Sequence, residues 1–205
     1  MTDTPPQLAS SNGGLPSAVL WAQLLMKDRL RPGDVAIDAT LGNGHDTLFL
    51  AHRVGETGRV YGFDIQLAAV NETNNRLRMA GIDESQFTLN QISHAHMAEH
   101  LDPADLNRIK GVMFNLGYLP GSDKSVITRT ADTMIAVRQA LNLLQPAGLL
   151  TVVVYPGHEG GAEEGRAIAE WAASLPPQQV EVQNLRPVNR SAAPPECWAF
   201  WKRPA

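Results

Sequence analysis

Cysteine is almost absent from this chain of 205 residues, since Cys197 is the single one. An intramolecular disulfide framework is therefore excluded. Long apolar runs are missing too, because no stretch approaches the roughly 20 apolar residues that a membrane-spanning helix needs. The first residues, MTDTPPQLASSNGG, have neither the basic nor the apolar segment of a secretory signal. We therefore expect a cytoplasmic protein with no membrane association.

The composition is that of a soluble globular chain, with 43% apolar and 19% charged residues. We expect residues 15–205 to form one domain, preceded by a polar, flexible tail over residues 1–14 that is rich in Pro, Ser and Gly. The net charge of −4 argues against a protein that coats nucleic acid, although it leaves room for a local basic patch.

Short apolar segments alternate with segments of helical periodicity along the chain. DVAID (34–38) and RVYGFD (59–64) predict buried strands on either side of a helix over 45–54. Further strands are predicted over 86–90, 110–116 and 148–155, helices over 15–30, 66–81, 126–144 and 161–174, and a closing antiparallel hairpin from 178–185 and 197–203. This alternation predicts a doubly wound, mostly parallel α/β sheet, which binds ligands where its strands end.

The segment DATLGNGHDT (38–47) places glycines and polar residues in one turn directly after the first predicted strand. Gly42 and Gly44 permit a tight turn and a close approach to a ligand, and a helix beginning near His45 offers free backbone amides. Asp64 ends the second strand, where an acidic residue of nucleoside-binding folds bonds the ribose hydroxyls. A capped strand-to-helix turn would explain the glycines alone, but with Asp64 the pattern favours a nucleoside site.

The nucleoside is better matched by S-adenosylmethionine (SAM) than by NAD. Thr47 stands where NAD sites have a third small residue, and its branched side chain opposes close packing of helix and strand. A Gly-Lys-Ser/Thr phosphate loop does not occur. In a SAM site Asp64 would bind the ribose, the glycine turn the methionyl end, and Asp38 or Asp46 the ammonium or sulfonium charge.

A second polar segment, NLGYLPGSDK (115–124), follows the fourth predicted strand. The side-chain oxygen of Asn115 and the carbonyl of Leu116 are suited to accept the two N–H bonds of an attacking amine and to aim its lone pair. Tyr118 is suited to stack on a base or to join the same hydrogen bonds. A Gly-Pro-rich turn with a capping Asn is the alternative interpretation.

Three further groups of residues need an interpretation. Two of them have two open interpretations, and for the third we expect no function in metal binding. YPGHEGG, with Tyr155 and His158, is either a substrate-contacting loop or a plain strand-to-helix turn. His94, His96 and His100 lack an evident further ligand, so we expect no metal site. The following cations are either a phosphate-binding rim or ordinary solvated charges: Lys124, Arg129, Arg186, Arg190, Lys202 and Arg203.

Six ordered segments, DATLGNGHDTLFLA, GFDIQ, SHAHM, NLGYLPGSDK, TRTADT and YPGHEGG, together resemble the putative rRNA methylase family of small SAM-dependent methyltransferases. The resemblance covers roughly Leu15 to Lys202. It implies a Rossmann-like class I methyltransferase fold with a seven-stranded sheet and SAM as cofactor. The cofactor residues that it implies are Asn43 with its neighbours Gly42, Gly44, His45, Asp46 and Thr47, and then Asp64, Gln66, Ser93 and His94.

Characterised members of that family are tRNA 5-aminomethyl-2-thiouridine methyltransferases, so the resemblance implies N-methylation of a tRNA wobble uridine and the anticodon region as partner. Asn115 and Tyr118 are then the predicted catalytic residues, and the predicted substrate contacts are Lys124, Arg129, Tyr155 and His158. The alternatives are methylation of another RNA nitrogen or a small amine, and a non-catalytic SAM or nucleoside sensor, which would not need Asn115. An NAD oxidoreductase is disfavoured by Thr47. A homodimer and a monomer are both open.

Overall fold

Helices and strands alternate along the chain in the computed structural model, which describes residues 14–117, 130–190 and 192–204. The helices are α1 (Ala18–Arg29), α2 (His45–Val54), α3 (Leu67–Met79), α4 (Thr130–Leu143) and α5 (Gly161–Ser174). The strands are β1 (Val35–Asp38), β2 (Arg59–Asp64), β3 (Phe87–Gln91), β4 (Ile109–Asn115), β5 (Leu144–Val154), β6 (Val180–Leu185) and β7 (Glu196–Lys202). Short 3-10 helices span Glu84–Gln86 and His94–His100. Within the described segments, no helix combines the length and the apolar character needed to cross a membrane.

The seven strands form one sheet in the order β3-β2-β1-β4-β5-β7-β6. Neighbours from β3 to β5 are parallel, whereas β7 runs antiparallel to both β5 and β6. The predicted doubly wound sheet with a C-terminal antiparallel hairpin is therefore confirmed. The strand order reverses between β1 and β4, and in such sheets the ligand crevice lies outside the carboxyl ends of the strands at that point.

Apolar side chains cover both faces of the sheet. Val35 and Ile37 of β1 join the core under α4, α5 and the 3-10 helix His94–His100, whereas Ala36 joins the core under α1, α2 and α3. This double burial explains why β1 is a continuous apolar run and not an alternating one. Asp38, Asp64 and Asn115 lie where β1, β2 and β4 end.

One boundary differs from the sequence-based expectation, and another falls outside the described residues. The helical periodicity predicts a helix from Val126; α4 is described from Thr130, and residues 118–129 lie outside the described part of the chain, so that start stays a prediction. The fifth strand was expected to begin at Gly148, but Leu144 already pairs with Ile109 ahead of an irregularity in the ladder. Ala147 has a φ of 59° there. A local bulge of this kind leaves no hydrophobic pattern in the sequence.

The glycine turn between β1 and α2 has the backbone that its composition predicts. Gly42 and Gly44 have φ values of 50° and 74°, in the left-handed region. A Cβ on Gly44 would lie 2.8 Å from the Cα of Thr73, so helix α3 passes directly against the turn. Gly44 is therefore needed for the packing of α2 against α3 as well as for the turn.

We expect Gly44→Ala to destabilise the chain by two separable effects. The positive φ costs about 1–2 kcal/mol for a residue with a Cβ, and the contact with Thr73 adds about 1–3 kcal/mol of overpacking. Gly81→Ala is the matched control, because Gly81 also has a φ of 74° but a Cβ there meets nothing within 4 Å. Urea unfolding should show a clearly larger loss for Gly44→Ala; equal losses would show that helix packing does not require this glycine.

Candidate functional site

Polar side chains gather at the carboxyl edge of the sheet on both sides of the switch point. Asp38 ends β1, Asp64 ends β2, Asn115 ends β4 and Tyr155 directly follows β5. The structure thus brings together residues that the sequence places in four separate segments. The hydrogen bonds among them divide the site into a cradle formed by Asp64 and the glycine turn, and a polar network around Asn115.

The Asp64 carboxylate is fixed by two backbone amides. Its Oδ2 accepts a hydrogen bond from the amide of Gly42 at 3.1 Å, and its Oδ1 accepts one from the amide of Gln66 at 2.9 Å. Each carboxylate oxygen retains a further acceptor position. The half-buried Asp64 is therefore a fixed double acceptor, which suits the two adjacent hydroxyls of a ribose.

The Asp38 carboxylate is buried between β1 and the start of α2. Its Oδ2 accepts a hydrogen bond of 2.6 Å from the Thr47 hydroxyl, and its Oδ1 accepts one of 3.0 Å from the Thr40 amide. Burial, followed by the nearby Asp46 carboxylate, raises the pKa of Asp38 to about 7. Sequence reasoning had Thr47 lining the cofactor site, whereas the structure shows its hydroxyl bonded to Asp38; any contact of Thr47 with a cofactor stays a prediction.

The Asn115 carboxamide lies in a network that joins four elements. The Asn115 side chain interacts with the Asp46 carboxylate and lowers its pKa, and its Oδ1 accepts a bond of 3.0 Å from the Tyr155 hydroxyl. Gln23 of α1 donates from Nε2 to Oδ1 of Asp46 at 2.8 Å. The backbone amide of Asn115 donates to the Thr40 hydroxyl at 2.8 Å, which holds the end of β4 next to the turn after β1.

Tyr155 also forms a stacked pair with His158. Their ring centroids are 5.1 Å apart with an interplanar angle of 12°. Burial, together with the charge of Asp46, raises the pKa of Tyr155, so its hydroxyl remains a protonated donor. Of the predicted substrate residues, the half-buried Tyr155 thus contacts Asn115, and the exposed His158 packs on Tyr155.

The remaining predicted cofactor residues surround the glycine turn. Ser93 caps the 3-10 helix by accepting a bond from the Ala95 amide, and His94 Nδ1 lies 3.1 Å from the carbonyl of Ala39. Burial lowers the pKa of His94, so the ring is neutral and Nδ1 is the donor to Ala39. His45 begins α2 and is exposed, and the half-buried Asn43 has its carbonyl bonded by Arg76 Nε at 2.5 Å.

Gln23 and Arg76 are site residues that sequence reasoning missed. Gln23 of α1 contacts Asp46 in the first turn of α2, and Arg76 of α3 contacts the glycine turn at the carbonyl of Asn43. Arg76 has the spacing of an ordinary helical ion pair with Glu72, which gave no reason to single it out. No local pattern marks Gln23.

The described cations of the suggested basic rim do not lie together. Lys202 donates to the carbonyls of Leu141, Asn142 and Leu144 at the opposite edge of the sheet, and Arg203 pairs with Glu181 there. A rim that includes Lys202 and Arg203 is therefore wrong. Arg186 and Arg190 follow β6 at the carboxyl edge. Tyr118, Lys124 and Arg129 lie outside the described residues, so their roles stay predictions.

The histidines around the 3-10 helix have other partners than a metal. His96 lies 3.4 Å from Glu99, and His100 Nδ1 lies 3.3 Å from the carbonyl of His96. Within residues 14–117, 130–190 and 192–204, no three His, Cys, Asp or Glu side chains are grouped to hold a metal ion.

The electrostatics of the site favour a ligand that is a diol and carries positive charge. Asp46 and Asp64 both raise the pKa of Asp38, which means that negative charge is concentrated around the turn. A cation bound nearby would relieve this repulsion. The fixed acceptors of Asp64 and the carboxylates Asp38 and Asp46 together fit a ribose joined to a cationic group, as in SAM.

The chain is similar to known methyltransferases in sequence and in structure. The family model described as "Putative rRNA methylase" matches residues 60–200. The "tRNA (mnm(5)s(2)U34)-methyltransferase, chloroplastic" of Arabidopsis thaliana is 39% identical over 183 residues. The aligned region is 86% of this chain and 64% of that protein, so the chain spans less than two thirds of the length of this relative.

Two solved structures are similar over almost their entire length. A "putative rRNA-methylase" from Clostridium thermocellum has a TM-score of 0.87 and 36% identity, covering 92% of this chain and 99% of that one. A "putative methyltransferase" from Streptococcus mutans, crystallised in complex with SAH, has a TM-score of 0.81 and 30% identity, with the same coverage of 92% and 99%.

The raised pKa of Asp38 predicts a pH-dependent stability. In the unfolded chain Asp38 ionises near its ordinary pKa of about 3.9, but in the folded chain it does so at about 7. Between these values the unfolded state binds fewer protons, so the free energy of unfolding falls as pH rises. Asp38→Asn, which keeps partners for Thr47 and Thr40, should flatten this fall.

Urea unfolding of the ligand-free chain at a series of pH values between about 4 and 7.5 measures this dependence. Asp28→Asn, at an exposed carboxylate of α1, is the charge-matched control and should keep the slope of the parent. Parallel curves for the parent and Asp38→Asn would contradict the raised pKa.

Proposed function

This chain belongs to the rRNA methylase family, and from that premise we propose that it is a SAM-dependent N-methyltransferase of tRNA. Its proposed substrate is the 5-aminomethyl group of 2-thiouridine at the wobble position, which it converts to 5-methylaminomethyl. The observation that carries the proposal is the placement of the Asn115 carboxamide, fixed by Tyr155 and Asp46, across the switch point from the Asp64 cradle.

Three features support SAM as the cofactor. The Asp64 oxygens, held by Gly42 and Gln66, are fixed acceptors for ribose hydroxyls. The carboxylates of Asp38 and Asp46 favour a positive charge beside the turn. The Streptococcus mutans relative was crystallised in complex with SAH. When bound, SAM supplies an electrophilic methyl group on a positively charged sulfur.

Asn115 is suited to orient the amine. Its Oδ1 accepts one hydrogen bond from Tyr155 and retains a second acceptor position for an N–H of the substrate. The carbonyl of Leu116 is the second proposed acceptor. An amine that donates both N–H bonds to these oxygens keeps its lone pair free, and orientation of this kind lowers the barrier to displacement. The proton released after transfer goes to water or to a polar side chain nearby.

The proposed partner is the anticodon region of tRNA. The name of the Arabidopsis relative, which places its methylation at U34, supports this substrate. The stacked rings of Tyr155 and His158 stand beside Asn115 and supply an aromatic surface for a nucleobase. We further place the activity in the cytoplasm. Methylation of another RNA nitrogen or of a small amine would use the same Asn115 site and is the alternative that the substrate test below separates.

The cofactor assignment predicts the effect of Asp64→Asn. The amide presents a donor where Asp64 now accepts from Gly42, Gln66 and the proposed ribose hydroxyls, so SAM affinity should fall by about 1.5–3 kcal/mol, roughly 10- to 150-fold. Asp28→Asn, exposed on α1, removes the same charge far from the turn and should leave affinity unchanged. Calorimetric titration with SAM and with NAD measures both; unchanged SAM binding in Asp64→Asn, or tighter binding of NAD by the parent, would refute the assignment.

The substrate assignment predicts methyl transfer from labelled SAM to tRNA that carries 5-aminomethyl-2-thiouridine, and none to tRNA that lacks the aminomethyl group. Asn115→Ala should retain SAM affinity but lose about 100-fold or more in kcat, because a misoriented amine can cost that much. Equal methylation of both tRNAs would refute the substrate. Full turnover by Asn115→Ala would leave its loop with a structural role alone.

A further inference from the structure

Gln23 lies outside every motif that identifies the family, yet its side chain ends in the site. It is on α1, which packs against the sheet through Ala22 and Met26. Its Nε2 donates to Asp46 Oδ1 at 2.8 Å. Asp46 is only 7% exposed, and the neighbouring Asn115 carboxamide lowers its pKa. A line of polar side chains therefore links α1 to the residue that we propose orients the amine.

We propose that Gln23 and Asp46 are positioning residues that fix which atom of the Asn115 carboxamide faces the reacting amine. This inference rests on the proposed function, because it concerns the orientation of the amine acceptor. A carboxamide has two orientations of nearly equal shape, and only one of them presents Oδ1 as an acceptor to the amine.

Tyr155 alone does not select between these two orientations. Its hydroxyl both donates and accepts, so it can bond to either end of a carboxamide. An ionised carboxylate only accepts, so Asp46 requires the Nδ2 donor of Asn115. The hydrogen-bond directions agree with this selection: Gln23 donates to Asp46, and Tyr155 donates to Asn115 Oδ1, which leaves Nδ2 as the Asn115 donor for Asp46.

Gln23 favours the ionised form of Asp46, which is the form that selects the orientation. Burial raises the pKa of Asp46, whereas the hydrogen bonds from Gln23 and Asn115 and the charge of His45 lower it. Among the described residues, the other titratable groups that interact with Asp46 are Asp38 of β1 and Tyr155. Loss of the Gln23 donor raises the pKa of Asp46 further, and a protonated Asp46 no longer requires Nδ2 as its partner.

Gln23→Met tests the donor, because methionine has a similar length and no N–H. We expect SAM affinity within about 3-fold of the parent, kcat on aminomethyl tRNA lower by about 10-fold, and the acidic limb of the kcat profile moved to higher pH. The matched control is Gln86→Met, which removes a second glutamine donor, bonded to the Gly55 carbonyl at 2.9 Å at the opposite edge of the sheet. Equal effects of the two variants would reduce Gln23 to a structural residue and overturn the proposal.

Asp46→Asn tests the acceptor at constant shape. We expect kcat to fall by about 100-fold and SAM affinity to fall by no more than about 10-fold. An equal fall in both would make Asp46 a direct cofactor ligand and overturn its positioning role. Asp46→Glu, which keeps the acceptor, should recover part of kcat; no recovery over Asp46→Asn would count against the proposal.

A titration of the ligand-free protein separates this inference from the proposed function. The charge of Asp46 contributes to the raised pKa of Tyr155, so Asp46→Asn should lower the pKa seen by ultraviolet titration, with Tyr155→Phe identifying the signal. An unchanged Tyr155 pKa would overturn the network whatever the substrate. If the titration shift is present but the parent protein methylates no tRNA, the proposed function is refuted and the network is not.

Discussion

The buried carboxylate of Asp38 is the interaction on which the site depends. It ends β1 and accepts hydrogen bonds from Thr40 in the following turn and from Thr47 in α2. The turn is thereby tied at both ends to one acidic group. Thr40 in turn accepts from the amide of Asn115, which extends the same fixation to the end of β4. A change in the position of Asp38 would therefore displace both halves of the site, the Asp64 cradle as well as the Asn115 network.

This fixation has an electrostatic cost that the proposed ligand offsets. Burial and the nearby Asp46 carboxylate both destabilise the ionised form of Asp38, and its pKa is therefore about 7. Such a group weakens the ligand-free fold when it ionises. A bound cation stabilises the ionised form, because opposite charges attract strongly where water is excluded. Low stability of the empty site and affinity for a cationic nucleoside thus have one physical origin, which is the concentration of acidic side chains around the turn.

Most of the fold was predictable because local patterns encode it. The continuous apolar run of β1, the helical spacing of α2 and the glycine turn between them are short-range signals, and their boundaries agree with the structure. Asp64 and Asn115 were found for the same reason, since each ends a recognisable strand. The contacts that Gln23 makes with Asp46 and Tyr155 with Asn115 join residues 23 and 40 positions apart. Such pairs have no signature in a single sequence, because only the packing of helices and strands brings them together.

The glycine turn shows how packing and binding share the same residues. A Cβ on Gly44 would meet Thr73 of α3, and Arg76 of the same helix bonds to the carbonyl of Asn43. Helix α3 therefore shapes the turn from outside, while Asp64, one strand away, holds it through the amide of Gly42. The backbone amides of a turn form a specific site only when their directions are fixed. A mobile turn must be ordered when the ligand binds, and this costs conformational entropy. The close approach of α3 thus fixes the backbone of the binding site. Neither the packing of Thr73 nor the hydrogen bond of Arg76 requires α3 to contact a ligand.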